Sequence, residues 1–400
     1  MNAREFKTPE SVNRVQTLGW LVGGVALVLS LIGAVTSPAR FCQAYLFSYL
    51  FVVGLTLGSL GLLMLQHLTS GYWGTVIRRP LEAASRNVWL ILIMFAPVVL
   101  GMKYLYSGNG TELGWLNSPK TGEHALTPWQ QGYLTTHGFL SRAVLYFAIW
   151  FLLVYLFNSW SKQQDARPQD GALLHRFQVL AGPGIILYVL SLTFAVVDWA
   201  MSLSPHWAST IYGFIFVGGE AVTSMSLMII TVVMLSRFEP YSGLIRERHL
   251  HDLGKLLFAF NMLWGYFAFS QLLIIWSGNL PEEISFYRTR LSGAWGVVAV
   301  LVLLLTFSLP FLVLLSRDVK RNPKLIATVA AWMLLFRVLD LYWMVKPEFT
   351  SSPLPNWLDI VLPVALTGLW TGFFAFNLKQ RPILPLGDPK LAEVLAHHEH

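Results

Sequence analysis

The chain has 400 residues, of which 55% are hydrophobic, 14% aromatic and only 12% charged. Soluble domains carry about a quarter charged residues, so this composition excludes a soluble globular protein and points to a chain that crosses a bilayer many times. The formal net charge of +7 does not indicate nucleic-acid binding, because the basic residues sit in short runs between apolar segments.

Ten apolar segments are each long enough to cross a hydrocarbon layer of about 30 Å at about 1.5 Å per residue. They run over 17–36, 42–66, 87–106, 138–158, 177–196, 210–236, 253–275, 291–316, 324–346 and 356–377. The first follows a polar stretch and has no small-residue cleavage site after it, which reads as a retained span, not a removed signal. An even number of spans puts both termini on one side. Nineteen Lys and Arg residues fall on that side: in the tails and in the loops near 67–86, 159–176, 237–252 and 317–324. The opposite loops hold six, so the positive-inside rule places both termini in the cytoplasm. Two outer loops are long and aromatic: 107–137, with Trp115, Trp129 and Tyr133, and 276–290, with Trp276, Phe286 and Tyr287. Such length suggests docking to something outside the membrane. The inner stretch from Ser161 to Pro168 reads as a solvated linker.

Ionisable groups at membrane depth are costly and mark function. Glu220 lies ten residues into the sixth span, roughly 15 Å deep. Ser224 and Thr231 return to within about 40° of its face, so the three form a polar stripe. It reads either as a proton relay through a carboxyl and hydroxyls or as an interhelical hydrogen bond. Arg337 and Asp340 share a face of the ninth span near the same depth. A buried Arg requires a carboxylate, which Asp340 or Glu220 could supply; the pair reads as functional or as a structural lock. His67 ends the second span on the inner side, a proton entry point or an interfacial His, with Lys255 opening the seventh span on that side.

On the outer side lie His137, Arg142, Asp198 and His206, with Gln271 and Asp359 at similar depth. An imidazole and an acid beside Trp199 and Trp207 suit a quinol headgroup, the acid and His exchanging its protons between aromatic walls; the set also reads as solvated interfacial side chains. Cys42 is the single cysteine. That excludes a disulfide framework and any zinc or iron–sulfur site ligated by cysteines of this chain alone. No His pair stands at matched depth for haem, and no metal site is expected.

The stretches Asp198–Trp207, His67–Trp73 and Leu263–Gln271 through Gly278–Glu283 resemble the ActF-type membrane subunits of bacterial alternative complex III. These belong to a quinol:cytochrome c or quinol:electron-acceptor oxidoreductase and are similar to NrfD-like anchors of polysulfide-reductase type. The resemblance extends over nearly the whole chain and carries over His67, Asp198, His206 and Glu282. It implies an all-α fold of ten transmembrane helices. Spans two to five would form one four-helix bundle (about 42–158 plus 177–196) and spans six to nine a second (about 210–346), with two flanking helices. It also implies partners: outer-side subunits holding the iron–sulfur clusters and c-type haems, and a related anchor assigned the quinol site.

The leading expectation is therefore an inner-membrane subunit without a redox centre of its own, supporting assembly and offering a proton path through Glu220 and its neighbours. A chain that itself binds quinol through His137, Asp198 and His206 is the second expectation. A secondary transporter with a midplane charged site is the third, against which the long aromatic loops weigh.

Overall fold

The computed structural model describes residues 8–108, 113–122, 125–166, 171–389 and 391. These residues form helices and connecting turns, with no strand among them. Ten helices are long and apolar enough to span a bilayer: α1 (Glu10–Thr36), α2 (Pro38–Thr69), α3 (Tyr72–Leu100), α4 (Thr136–Ala166), α5 (Gly171–Leu203), α6 (Tyr212–Leu235), α7 (Glu247–Gly278), α8 (Gly293–Leu315), α9 (Pro323–Glu348) and α10 (Trp357–Lys379). This is an all-α polytopic membrane protein.

Helices α2–α5 pack as one bundle and α6–α9 as a second, and α2 meets α6, α9 and α10 as well as its own bundle. That position explains why α2 is 94% buried over its most apolar stretch. The pair α1 and α10 lies outside both bundles. Its contact is built from two Gly-x-x-x-Gly patterns, Gly19 with Gly23 and Gly368 with Gly372, which let two backbones touch where no hydrophobic effect separates helix from lipid. A Cβ on Gly23 would stand 2.4 Å from the Leu369 nitrogen. Lys379 donates to Asn13 at 2.8 Å, so α1 begins and α10 ends on one side, here called the tail side; the other is the loop side.

Three stretches differ from their sequence reading. Residues 72–85, expected in a charged loop, are a buried helix that forms the tail-side half of α3; the break at Arg86 and Asn87 is tied to α10 by Asn87 donating to the Trp370 carbonyl at 3.0 Å. The stretch 161–166, expected as a solvated linker, continues α4 with Ser161 and Gln164 buried; 167 and 168 lie outside the described residues. In both, paired charges had the appearance of solvated ones. Arg78 reaches Glu82 at 3.1 Å and Asp388 at 2.8 Å, Arg79 reaches Glu82 at 2.6 Å and also pairs with Asp165, and Ser161 donates to Glu82 at 2.6 Å. Third, the stretch 276–290, expected as a long outer loop, is largely helical: α7 runs to Gly278 and a short helix spans Pro281–Leu291.

Helix α8 shows how a proline is accommodated in lipid. Its turn Leu303–Ser308 is a π-helix that runs into Pro310. Pro310 has no N–H for the Leu305 carbonyl, and the Trp332 indole supplies that hydrogen bond at 2.9 Å; Asn261 donates to the Phe307 carbonyl at 3.3 Å.

The α1–α10 contact makes a direct prediction. Gly23→Leu should destabilise the protein by about 1–3 kcal/mol through overpacking. Gly24→Leu, at a position with nothing within 4 Å of the added Cβ, should be close to neutral. Equal melting temperatures for the two variants in detergent would show that the glycine contact is not formed.

Candidate functional site

The second bundle meets the first along α2 and α6, and the residues there are small for a physical reason. A Cβ on Gly58 would lie 2.4 Å from the Glu220 carbonyl oxygen and 2.5 Å from Ser224 Oγ, and one on Gly61 would lie 2.9 Å from the Tyr188 ring. Glycine at these positions lets α6 and the Tyr188 phenol close onto α2. Glu220 is 3% exposed, and Tyr188 Oη donates to its Oε2 at 2.9 Å. Ser224 donates across the seam to the Gly54 carbonyl at 3.1 Å, with Ser59 3.4 Å from its hydroxyl. Thr231 turns back on its own helix to the Leu227 carbonyl at 2.8 Å. The polar stripe on α6 is therefore present, with Ser224 joining the two bundles and Thr231 occupied within α6.

Arg337 and Asp340 on α9 form an ion pair whose side chains are 4% and 3% exposed. Between the two carboxylates that the sequence leaves open, Asp340 is the one bonded to the guanidinium. The guanidinium lies flat over Gly219, where a Cβ would stand 2.3 Å from Cζ, and 5.8 Å from the Phe216 ring centre. A fixed positive charge thus sits one residue away from Glu220 along α6. Acid, phenol, guanidinium and second acid come from α6, α5 and α9, gathered against α2. In a medium of low dielectric such groups can hold or pass a proton, because each charged form has a specific partner nearby.

The loop-side set divides. Asp198 is fully buried, accepts from Arg142 at 2.8 and 2.9 Å and from the Tyr146 hydroxyl at 2.7 Å, and Arg142 lies 3.7 Å over the Tyr133 ring. His137 and His206 are exposed, outside that cluster. Trp199 fills the centre of the first bundle, 4.9 Å from Phe95 and 5.7 Å from Tyr49. Trp207 stacks on Phe286 at 4.0 Å and donates to the Glu283 carbonyl at 3.0 Å. The expected aromatic walls are therefore packing elements: one Trp belongs to a core, the other ties the loop after α5 to the Pro281–Leu291 helix. Gln271 accepts from Ser209 at 2.5 Å, and Asp359 pairs with Lys346 at 2.7 Å. On the tail side, His67 is 6% exposed and stacks on Phe177 at 4.2 Å, its Nε2 without a hydrogen-bond partner. Among the described residues no group of three His, Cys, Asp or Glu side chains is placed to hold a metal ion.

Sequence reasoning missed Tyr188, an ordinary aromatic in an apolar run until its hydroxyl is seen on Glu220. It also missed the Glu82 network, whose i, i+4 and i, i+3 spacing to Arg78 and Arg79 was the available signal. The central ion pair supplies a test. Arg337→Ala or Asp340→Asn alone should cost about 3–5 kcal/mol, since each strands a buried charge, whereas Arg337→Met with Asp340→Leu should recover most of the loss. Additive losses in denaturant unfolding would mean the two side chains do not depend on each other. Neither a protein-family model nor a curated protein matches the chain.

Proposed function

We propose that the chain is an integral membrane subunit of a quinol-oxidising respiratory complex of the bacterial cytoplasmic membrane, of the alternative complex III type. Its role there is to support assembly and to offer a transmembrane proton path. The observation that carries this reading is Glu220: a carboxyl deep in α6, hydrogen-bonded to Tyr188 and one residue from the Arg337 guanidinium. A carboxyl in that setting is expensive, which favours a role in holding a proton. The packing of α2–α5 and α6–α9 as two bundles also supports it, being the arrangement that the resemblance implies.

In this reading Glu220 carries the proton, and Tyr188 donates to its ionised form. Asp340 keeps the Arg337 guanidinium in place beside it. His67 is the entry candidate on the tail side. Arg142 and Asp198 are exit candidates on the loop side, with exposed His137 and His206 nearest to water. Ser224 and Thr231 mark the face of α6 between entry and centre. Their hydroxyls donate to backbone carbonyls, so transfer past them needs water as the carrier. The quinol is oxidised in a related partner anchor, and the iron–sulfur clusters and c-type haems belong to outer-side partner subunits, toward which the long aromatic loops face.

Two measurements test this. Glu220→Gln should lower the number of protons moved per electron while quinol oxidation partly persists, and Tyr188→Phe should show the same effect more weakly; an unchanged proton-to-electron ratio in Glu220→Gln removes that residue from the mechanism. Mild-detergent extraction should bring haem-c and iron–sulfur proteins down with the chain. If it purifies alone as a stable carrier that binds a soluble solute, the subunit reading fails.

A further inference from the structure

Buried cations in this protein are paired with acids, with one exception. Among the described residues, the buried Lys and Arg side chains are Arg78, Arg79, Arg290, Lys320, Arg337 and Lys346. Glu82 serves Arg78 and Arg79, Glu348 serves Arg290, Asp340 serves Arg337 and Asp359 serves Lys346. Lys320 is 8% exposed, and its ammonium makes no ion pair and no hydrogen bond among the described residues. It lies in the short helix Arg317–Arg321, in the turn between α8 and α9 on the tail side. Gly254 of α7 makes room for its stem, since a Cβ there would stand 2.8 Å from Lys320 Cγ. The ammonium ends 5.6 Å from the centre of the Phe258 ring. Protein therefore covers the alkyl stem, and the charge is left at the edge of the hydrocarbon.

The neighbours of Lys320 raise the cost of that position. Burial, and then the charges of Lys255 and Arg317, hold its ammonium below the ordinary lysine pKa. Lys255, Lys320 and Arg321 also act together on His251 of α7. Two acids accompany them: Asp252, which pairs with Lys255 at 3.2 Å, and the exposed Asp318. Four cations against two acids leave an excess of positive charge, and neither acid reaches Lys320. The membrane side of the cluster is apolar. The rings of Phe258 and Phe311 lie 5.4 Å apart and those of Phe311 and Phe307 5.7 Å apart, a row running from the ammonium along α7 and α8. It stops at Phe307, on the wall of a cavity of about 730 Å³ between α7, α8 and α9. Leu312 and Leu315, at the end of α8, are exposed.

We propose that this cluster holds the phosphate of an anionic phospholipid from the tail-side leaflet. A phosphate oxygen accepts from the Lys320 ammonium, Lys255 and Arg317 offset the remaining charge, and an acyl chain lies along Phe258 and Phe311. The occupant must carry an anion and hydrocarbon together, because the bare ammonium and the aromatic row adjoin. A soluble phosphate would make no use of the row. A zwitterionic phospholipid would bring a further cation to a cluster that already has too many. The chain's own C-terminal segment is engaged elsewhere, with Asp388 pairing with Arg78 of the first bundle at 2.8 Å.

The test uses the full chain in phosphatidylcholine nanodiscs doped with a diazirine-bearing phosphatidylglycerol or phosphatidylcholine, the crosslinks being mapped by mass spectrometry. The phosphatidylglycerol probe should label the Phe258–Phe311 face at least about fivefold more than the phosphatidylcholine probe. Lys320→Gln should lower that labelling about fivefold, the worth of one cation near an anionic headgroup, and Lys320→Arg should keep it. Lys255→Gln with Arg317→Gln changes only exposed side chains, and it should lower labelling at least as much even where Lys320→Gln folds poorly. Lys162→Gln, at an exposed tail-side position on α4, should leave labelling unchanged. Equal labelling by the two probes overturns the proposal in favour of general lipid packing. Equal losses in Lys162→Gln and Lys320→Gln overturn it in favour of net charge alone. Displacement of the lipid probe by millimolar glycerol phosphate assigns the cluster to a soluble anion and overturns the lipid source.

Discussion

Everything in this protein depends on how closely α6 lies against α2. Gly58 sets that distance, since a Cβ there would strike both the Glu220 backbone and the Ser224 hydroxyl. In water such an approach would be driven by apolar burial, but between helices in lipid the hydrophobic effect contributes little, and close van der Waals contact with occasional hydrogen bonds must suffice. The Ser224 hydroxyl adds one such bond across the seam. With the seam closed, α2 is surrounded on nearly all sides, the two bundles become one body, and Glu220 has Tyr188 as its hydrogen-bond partner.

The same constraint explains the pattern of charge. Almost every buried cation has an acid on another turn or another helix: Arg78 and Arg79 with Glu82 on the tail side, Arg337 with Asp340 at the centre, Arg142 with Asp198 and Arg290 with Glu348 on the loop side. An unpaired charge in such surroundings costs far more than its partner recovers in water, so the pairs fix helix register as much as they add stability. Glu220 departs from this rule. Its nearest hydrogen-bond partner is a neutral phenol and not a cation. That departure is what makes it the most informative side chain at the seam.

The two bundles use similar materials to different ends. In the first, Trp199 packs among Phe95, Tyr49, Phe147 and Trp150 and leaves the acid below it locked to Arg142 and Tyr146. In the second, aromatic side chains stand around open space, with Asp340 and Gln271 at its wall. Asp340 therefore belongs to both the central ion pair and the cavity wall.

The sequence by itself determined the number of spans, their approximate ends and which of them carry Glu220, Arg337 and Asp340. These follow from hydropathy, rise per residue and helical periodicity, which are properties of one helix at a time. It misread residues 72–85 and 161–166, because a charge in a sequence looks solvated until its partner is known, and the partners Glu82, Asp165 and Asp388 lie on different segments. Tertiary structure alone decided that Asp340 and not Glu220 takes Arg337, and that Tyr188 serves Glu220. It also decided that His137 and His206 stand apart from Asp198, and that the open space lies in the second bundle. Each of these depends on which faces of several helices meet, and that is set by packing at glycines and paired charges scattered across the chain, beyond the reach of any single periodicity.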